Sequence, residues 1–195
     1  MTRSLIPQGQ LSLEIFIHMD AAPRDTWTGP DMDARPLTDL GWKQAERMAD
    51  MILADGPVDA ILSSPAVRAT QSLEPLSKRT GLPIEVTPGF GDTLRYKPPA
   101  GWENPDNPGP HPLGGAYSAG KALAELQRLL TRANVRRAVL ASYDDIVPAF
   151  MSAVAGLYGI GMPERLRGKG YLYIVNVDAD HVTMMSKPAP EEFPS

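Results

Sequence analysis

The chain contains no cysteine, which excludes disulfides, thiolate metal sites and a cysteine nucleophile. Histidine is nearly as scarce, with three among 195 residues, so imidazole chemistry has only His18, His111 and His181 to draw on. An excess of basic charge is also missing. Nineteen Lys and Arg face 23 Asp and Glu, for a net charge of −4 and a pI near 5.4. Nucleic acid and anionic membrane are therefore poor default partners. No apolar run reaches the ~20 residues that span a bilayer. The nearest, Ile146 to Met162, is interrupted by Pro148, Ser152 and Tyr158 and reads as a buried helix. The segment Met1 to Gln10 lacks an apolar core of signal-peptide type. The expectation is a cytoplasmic protein without a membrane partner.

What is present is ordinary for a soluble domain: 43% hydrophobic and 22% charged residues. The length suits one domain over 1–195, with 1–10 and 187–195 expected to be flexible. Proline is the exception. Twenty prolines are about twice the average usage of ~5%, and they gather between Lys97 and Pro112 and from Pro188 to Pro194.

Leu11 to Ile17 alternates and then turns apolar, as a strand entering a buried sheet does. A long polar loop follows to Pro36. Thr38 is a good N-cap for a helix carrying Leu40, Ala45, Met48, Ala49, Ile52 and Leu53 on one face, stopped by Gly56-Pro57. Ala60-Ile61-Leu62 is a short strand. Ser64 is expected to cap the next helix, with Pro65 in its first position and Gly81 at its end. Ile84 to Val86 is a third strand. Thr87 to Gly115 has few periodic signals, the mark of a functional loop such as a lid, or of disorder. Tyr117 to Ala133 reads as a helix and Ala138 to Ala141 as a strand. A helix begins at Ile146, with Asp144 or Asp145 as its cap. A hairpin closes around Asp178-Ala179-Asp180.

Strands alternating with helices imply an α/β fold, a three-layer sandwich with a mainly parallel central sheet and helices on both faces. The closing hairpin would add an antiparallel edge. Ligands of open α/β sheets bind beyond the carboxyl ends of the strands. Three strand ends should therefore deliver His18, Ser64 to Arg68, and Tyr143 to one rim. His111 and His181 read as surface residues. Asp20, Asp92, Asp144, Asp145 and His18 show no tight ligand spacing, so neither a metal nor another cofactor is expected.

Ile17-His18-Met19, Arg35-Pro36-Leu37-Thr38-Asp39-Leu40-Gly41 and Ser63-Ser64-Pro65-Ala66-Val67-Arg68-Ala69-Thr70-Gln71 occur in that order and spacing. In this the chain resembles the histidine phosphatase (phosphoglycerate-mutase-like) superfamily over most of Leu11 to Tyr158. The resemblance implies that fold and phosphoryl transfer through a phosphohistidine. It places His18 at the nucleophile, Arg68 at a phosphate-binding arginine, and Asp92 loosely at the leaving-group acid. It also exposes departures. Ile17 stands where the family has an arginine, and Ser142-Tyr143-Asp144 stands where it has Ser-His-Gly.

Each lost donor to transition-state charge typically costs ~10²–10³ in rate. A carboxylate such as Asp144 at 4 Å from a phosphate repels it by about 4 kcal/mol at an effective dielectric of 20. Efficient phosphatase activity is therefore not expected. The leading expectation is a repurposed enzyme working on a non-phosphorylated small metabolite by isomerisation, cyclisation, elimination or hydrolysis. In it His18, Tyr143 and Asp92 do acid–base chemistry, while Arg68, Ser64, Asp20 and Asp144 hold the small-molecule substrate. The alternatives are weak phosphomonoesterase or phosphomutase activity through phospho-His18, and a non-catalytic binding or scaffold protein. Assembly as a homodimer is left open.

Overall fold

The computed structural model describes residues 9–91, 112–179 and 181–194. β1 (Gln10–Ile17) leads through a loop with one 3-10 turn (Met32–Ala34) into α1 (Asp39–Ala54). β2 (Ala60–Ser63), α2 (Val67–Thr80) and β3 (Ile84–Val86) follow. α3 (Pro112–Leu130), β4 (Arg137–Ser142) and α4 (Ile146–Tyr158) precede the hairpin of β5 (Leu172–Asp178) and β6 (His181–Lys187). The six strands lie in the order β3-β2-β4-β1-β5-β6. The first four are mutually parallel, β5 is antiparallel to β1, and β6 is antiparallel to β5. The hairpin thus contributes an interior strand as well as an edge.

Each face of the sheet is covered by a helix pair, because successive strand residues point to opposite sides. Leu13, Ile15, Leu62 and Leu140 pack with Leu126, Leu129 and Phe150 on the α3–α4 side. Phe16, Ile61, Val139 and Ala141 pack with Met48, Ile52, Leu73 and Leu76 on the α1–α2 side. Burying each of these large side chains contributes ~1.5–3 kcal/mol. Glu14 is the polar exception within β1. It is 4% exposed and binds Arg137 through both oxygens, at 2.7 and 3.0 Å. Breaking that pair would leave an uncompensated buried charge.

Thr38 caps α1, its hydroxyl accepting from the Gly41 N–H at 3.0 Å. Gly41 is there for space: a Cβ would sit 2.0 Å from the Asp20 carbonyl oxygen. Several boundaries differ from expectation. Ser64 does not cap α2; the helix starts at Val67 with Ala66 before it and no side-chain cap. Of the two caps expected for α4, Asp145 is the one used, accepting from the Ile146 N–H at 3.1 Å. α3 begins at Pro112 rather than Tyr117, since its Leu113-Gly114-Gly115 turn carries no helical signature. The C-terminal tail, expected to be loose, is tied down. Phe193 packs into the α1-side core, and the Gln44 side-chain N–H donates to the Pro194 carbonyl at 2.9 Å. Among the described residues no helix is long and apolar enough to cross a membrane.

Candidate active site

The carboxyl ends of β1, β2 and β4 meet at one rim. The His18 N–H donates to Ser142 O and the Ser64 N–H to Ala141 O, both at 3.0 Å. The His18 and Tyr143 rings lie 6.5 Å apart between centroids, edge to face at 77°. Arg68, in the first turn of α2, is 3% exposed, and its guanidinium sits 4.8 Å above the Tyr143 ring. The structure therefore brings His18, Ser64, Arg68 and Tyr143 together.

The orientation of His18 follows from its neighbour. Its Nδ1 lies 2.7 Å from the Met19 carbonyl oxygen. A carbonyl has no proton to give, so Nδ1 is the donor, and the lone pair of the neutral ring resides on Nε2. Met19 is itself fixed, its N–H donating to Ser72 Oγ at 2.9 Å. Burial lowers the His18 pKa to about 3. The charges of Lys169, Arg68 and Arg35 add to that shift, against the Met19 carbonyl, which favours the protonated ring. At neutral pH His18 is an uncharged imidazole among cations.

Lys169 was not foreseen from sequence. β5 pairs antiparallel with β1, setting Tyr173 opposite Ile15. The residues entering β5 therefore arrive where β1 leaves. Lys169 Nζ donates to the His18 carbonyl oxygen at 2.5 Å. It is flanked by Gly168 and Gly170 at φ +94° and +83°, a region disfavoured for other residues. Burial lowers its pKa to about 8, opposed by Asp20 and Asp144 and reinforced by Arg68 and Arg35.

Arg35 was also missed. It is buried, donates to the Ala22 carbonyl at 2.7 Å, and keeps its Nε without a hydrogen-bond partner. Its pKa is lowered by burial and by the charges of Arg68 and Arg24. In the sequence, Arg35 opens the Arg35-to-Gly41 segment of the resemblance, but nothing local places its side chain at the rim.

One side of this cluster is closed by the loop before α1. The Met32 carbonyl accepts from Arg68 Nη1 at 2.8 Å. The Asp33 carboxylate lies 3.8 Å from Arg68 Nη2 and accepts from the Tyr143 hydroxyl at 3.3 Å. Burial raises the Tyr143 pKa to about 12. Asp33 pushes the same way, while Ser64 and Arg68 oppose. Tyr143 thus holds its proton firmly.

The other side is open. A cavity of about 480 Å³ is lined by Ile17, His18, Asp144, Arg165, Lys169 and Tyr171, among others. Asp144 sits exposed at its mouth, 3.2 Å from Arg165. Asp20 is occupied locally: its carboxylate accepts from the Thr38 hydroxyl at 2.5 Å, and its N–H donates to Gln44 at 2.9 Å. Asp92 and His111 lie outside the described residues. Among the described residues no acidic or histidine cluster could hold a metal.

Residues 24–93 match the family model of the histidine phosphatase superfamily, branch 1. The whole architecture matches as well. The protein histidine phosphatase SixA, solved with tungstate, shares 23% identity over 89% of this chain and 94% of its own, with a TM-score of 0.56. Bacillus stearothermophilus YhfR gives a TM-score of 0.65 at 16% identity, over 89% and 94% of the two chains. Residues 24–93 thus resemble the histidine phosphatase superfamily in sequence, and the chain as a whole shares the fold of these phosphatases. At these identities the solved structures speak for the fold alone. The chain also matches the transcription factor tau 55 kDa subunit of Saccharomyces cerevisiae, 34% identical over 86 residues. That match covers 40% of the present chain and only 20% of the yeast subunit.

Proposed function

We propose that the site carries out slow phosphoryl transfer from a small phosphomonoester through His18. The carrying observation is the imidazole itself, neutral, with Nδ1 fixed on the Met19 carbonyl and Nε2 left as nucleophile. Nε2 attacks phosphorus, a P–N bond forms, and the ester P–O bond breaks. The departing oxygen takes a proton from water at the open mouth. Water then cleaves the P–N bond, releasing phosphate and restoring the neutral ring. The nearby positive charge of Lys169, Arg68 and Arg35 stabilises the developing negative charge, and supplying it inside a buried site is the largest lever on such a step.

The test is turnover of p-nitrophenyl phosphate. Wild-type turnover should fall below ~10 s⁻¹, a typical enzyme value, because Ile17 and Tyr143 supply no cation. His18→Ala should abolish it, and intact-mass spectrometry should detect an acid-labile phosphoryl adduct only with His18 present. Equal turnover in His18→Ala defeats the proposal.

A second reading, acid–base chemistry on a non-phosphorylated metabolite, draws on the closed side. Asp33 already faces Arg68 and Tyr143, which disfavours an anion there. Against it, a Tyr143 pKa near 12 makes the phenol a weak proton donor. Loss of turnover in Tyr143→Phe on a carboxylate or neutral substrate, with no activity on phosphate esters, would favour this second reading.

A further inference from the structure

We propose that Lys169, presented by the Gly168-Lys169-Gly170 turn, is the residue that receives the ligand's oxyanion in this pocket, taking the place of the cations missing at positions 17 and 143. The proposal rests on the phosphoryl-transfer reading above and concerns a residue outside the segment that matches the family model.

Three observations carry it. The Nζ donates one of its three protons to the His18 carbonyl oxygen, which leaves two more donors on a side chain that lines the same cavity as His18. The turn is built rather than incidental. Both flanking glycines have positive φ, and a Cβ on Gly170 would meet the Phe193 ring at 2.6 Å. The C-terminal tail therefore braces the backbone that aims Lys169. Finally, the side chain is half-buried, and this desolvation lowers its pKa despite the opposing charges of Asp20 and Asp144. A bound oxyanion would return to it the electrostatic partner that burial removes.

The ligand class follows. A small tetrahedral oxyanion suits a cavity of about 480 Å³ that His18 and Lys169 both line. Arg165 and Arg167 also line the wall, with Asp144 as the lining carboxylate. The surroundings thus favour a dianion over a neutral group.

Calorimetry with tungstate, a dianion throughout the range used, tests this directly. A charge-assisted hydrogen bond is worth roughly 1.5–3 kcal/mol, so Lys169→Met should weaken binding by about tenfold or more. Lys169→Arg should stay within a few-fold of wild type. Binding to the wild type should also weaken as pH rises through about 8, where Lys169 loses its proton. The charged and titratable groups facing it are Asp20, Asp144, Arg68, Arg35 and His18, and Lys169 is the one whose lowered pKa of about 8 falls in this window. The Lys169→Arg profile should be flat there. Unchanged affinity in a folded Lys169→Met, or identical pH profiles for wild type and Lys169→Arg, overturns the inference. If Lys169→Met binds normally while His18→Ala abolishes turnover, the phosphoryl-transfer reading stands and only this inference falls. If His18→Ala leaves turnover intact while Lys169→Met loses tungstate, the reverse holds.

Discussion

The two sides of His18 handle positive charge in opposite ways. On the α2 side, Arg68 is answered from within the chain by the Met32 carbonyl and the Asp33 carboxylate, beneath the loop that leads to α1. On the β5 side, Lys169 donates to the His18 carbonyl, feels the charges of Asp20 and Asp144, and lines a cavity of about 480 Å³. The first side lies within the stretch matched by the family model, and the second lies outside it. The position of a cation relative to the chain's own acids, not the number of cations, decides what an incoming anion meets. The closed side answers its arginine with acceptors of the chain itself, whereas the open side presents its cation to a cavity.

The largest expected effect concerns the group between them. The His18 pKa is lowered from 6.5 to about 3, so between those values the unfolded chain binds a proton that the folded chain refuses. Stability is therefore fully present above about pH 6.5 and is lost as pH falls toward 3. At about 1.4 kcal/mol per unit, the loss is on the order of a few kcal/mol. His18→Gln should flatten this part of the curve in urea denaturation at about pH 7 and pH 4. An equal acid loss in both proteins would show that His18 is not held neutral between the two sides. Lys169 carries the same sign at the other end. Its pKa is lowered from 10.5 to about 8, so stability should rise as pH climbs between those values.

The next effect separates the open wall from the rest. Gly170→Ala adds a Cβ 2.6 Å from Phe193 at φ +83°. Strain of that kind costs on the order of 1–3 kcal/mol. For a chain of this size each kcal/mol lowers the melting temperature by about 2–4 °C. The variant should melt several degrees lower and bind tungstate more weakly. A lower melting temperature with unchanged tungstate affinity would mean that the turn braces the tail but does not aim Lys169.

Much of this architecture was legible in the chain. The strands and helices from Leu11 to Tyr158 declare themselves through periodicity, and the rim holding His18, Arg68 and Tyr143 follows from strand ends alone. Lys169 escaped because its position depends on pairing. Nothing in Gly168-Lys169-Gly170 says that β5 runs antiparallel beside β1, and only that register carries its entry to the rim. Arg35 and Asp33 escaped for a different reason. They sit in a long loop whose fold is fixed by distant partners, such as the Leu37 N–H on Gln71 at 2.8 Å, rather than by local spacing. Ser64 misled because a serine before Pro65 is a strong capping signal, yet Ala66 is still in an extended conformation and the helix begins only at Val67.

The smallest effect tests whether the closed side reaches the pocket at all. Asp33→Asn removes one negative charge while keeping an acceptor for the Tyr143 hydroxyl. Arg68 retains the Met32 carbonyl, so the loop has reason to stay in place. The positive potential around His18 should then rise, and inorganic phosphate should bind more tightly by several-fold, at most about tenfold or 1.4 kcal/mol. Since Asp33 is only partly shielded from solvent, the gain should shrink at about 1 M salt, where the screening length is about 3 Å. Tighter binding that fades with salt would show the two sides acting as one electrostatic unit, with Asp33 holding affinity down. Unchanged binding in a folded Asp33→Asn would confine ligand recognition to the Lys169 side, leaving Arg68 as structure.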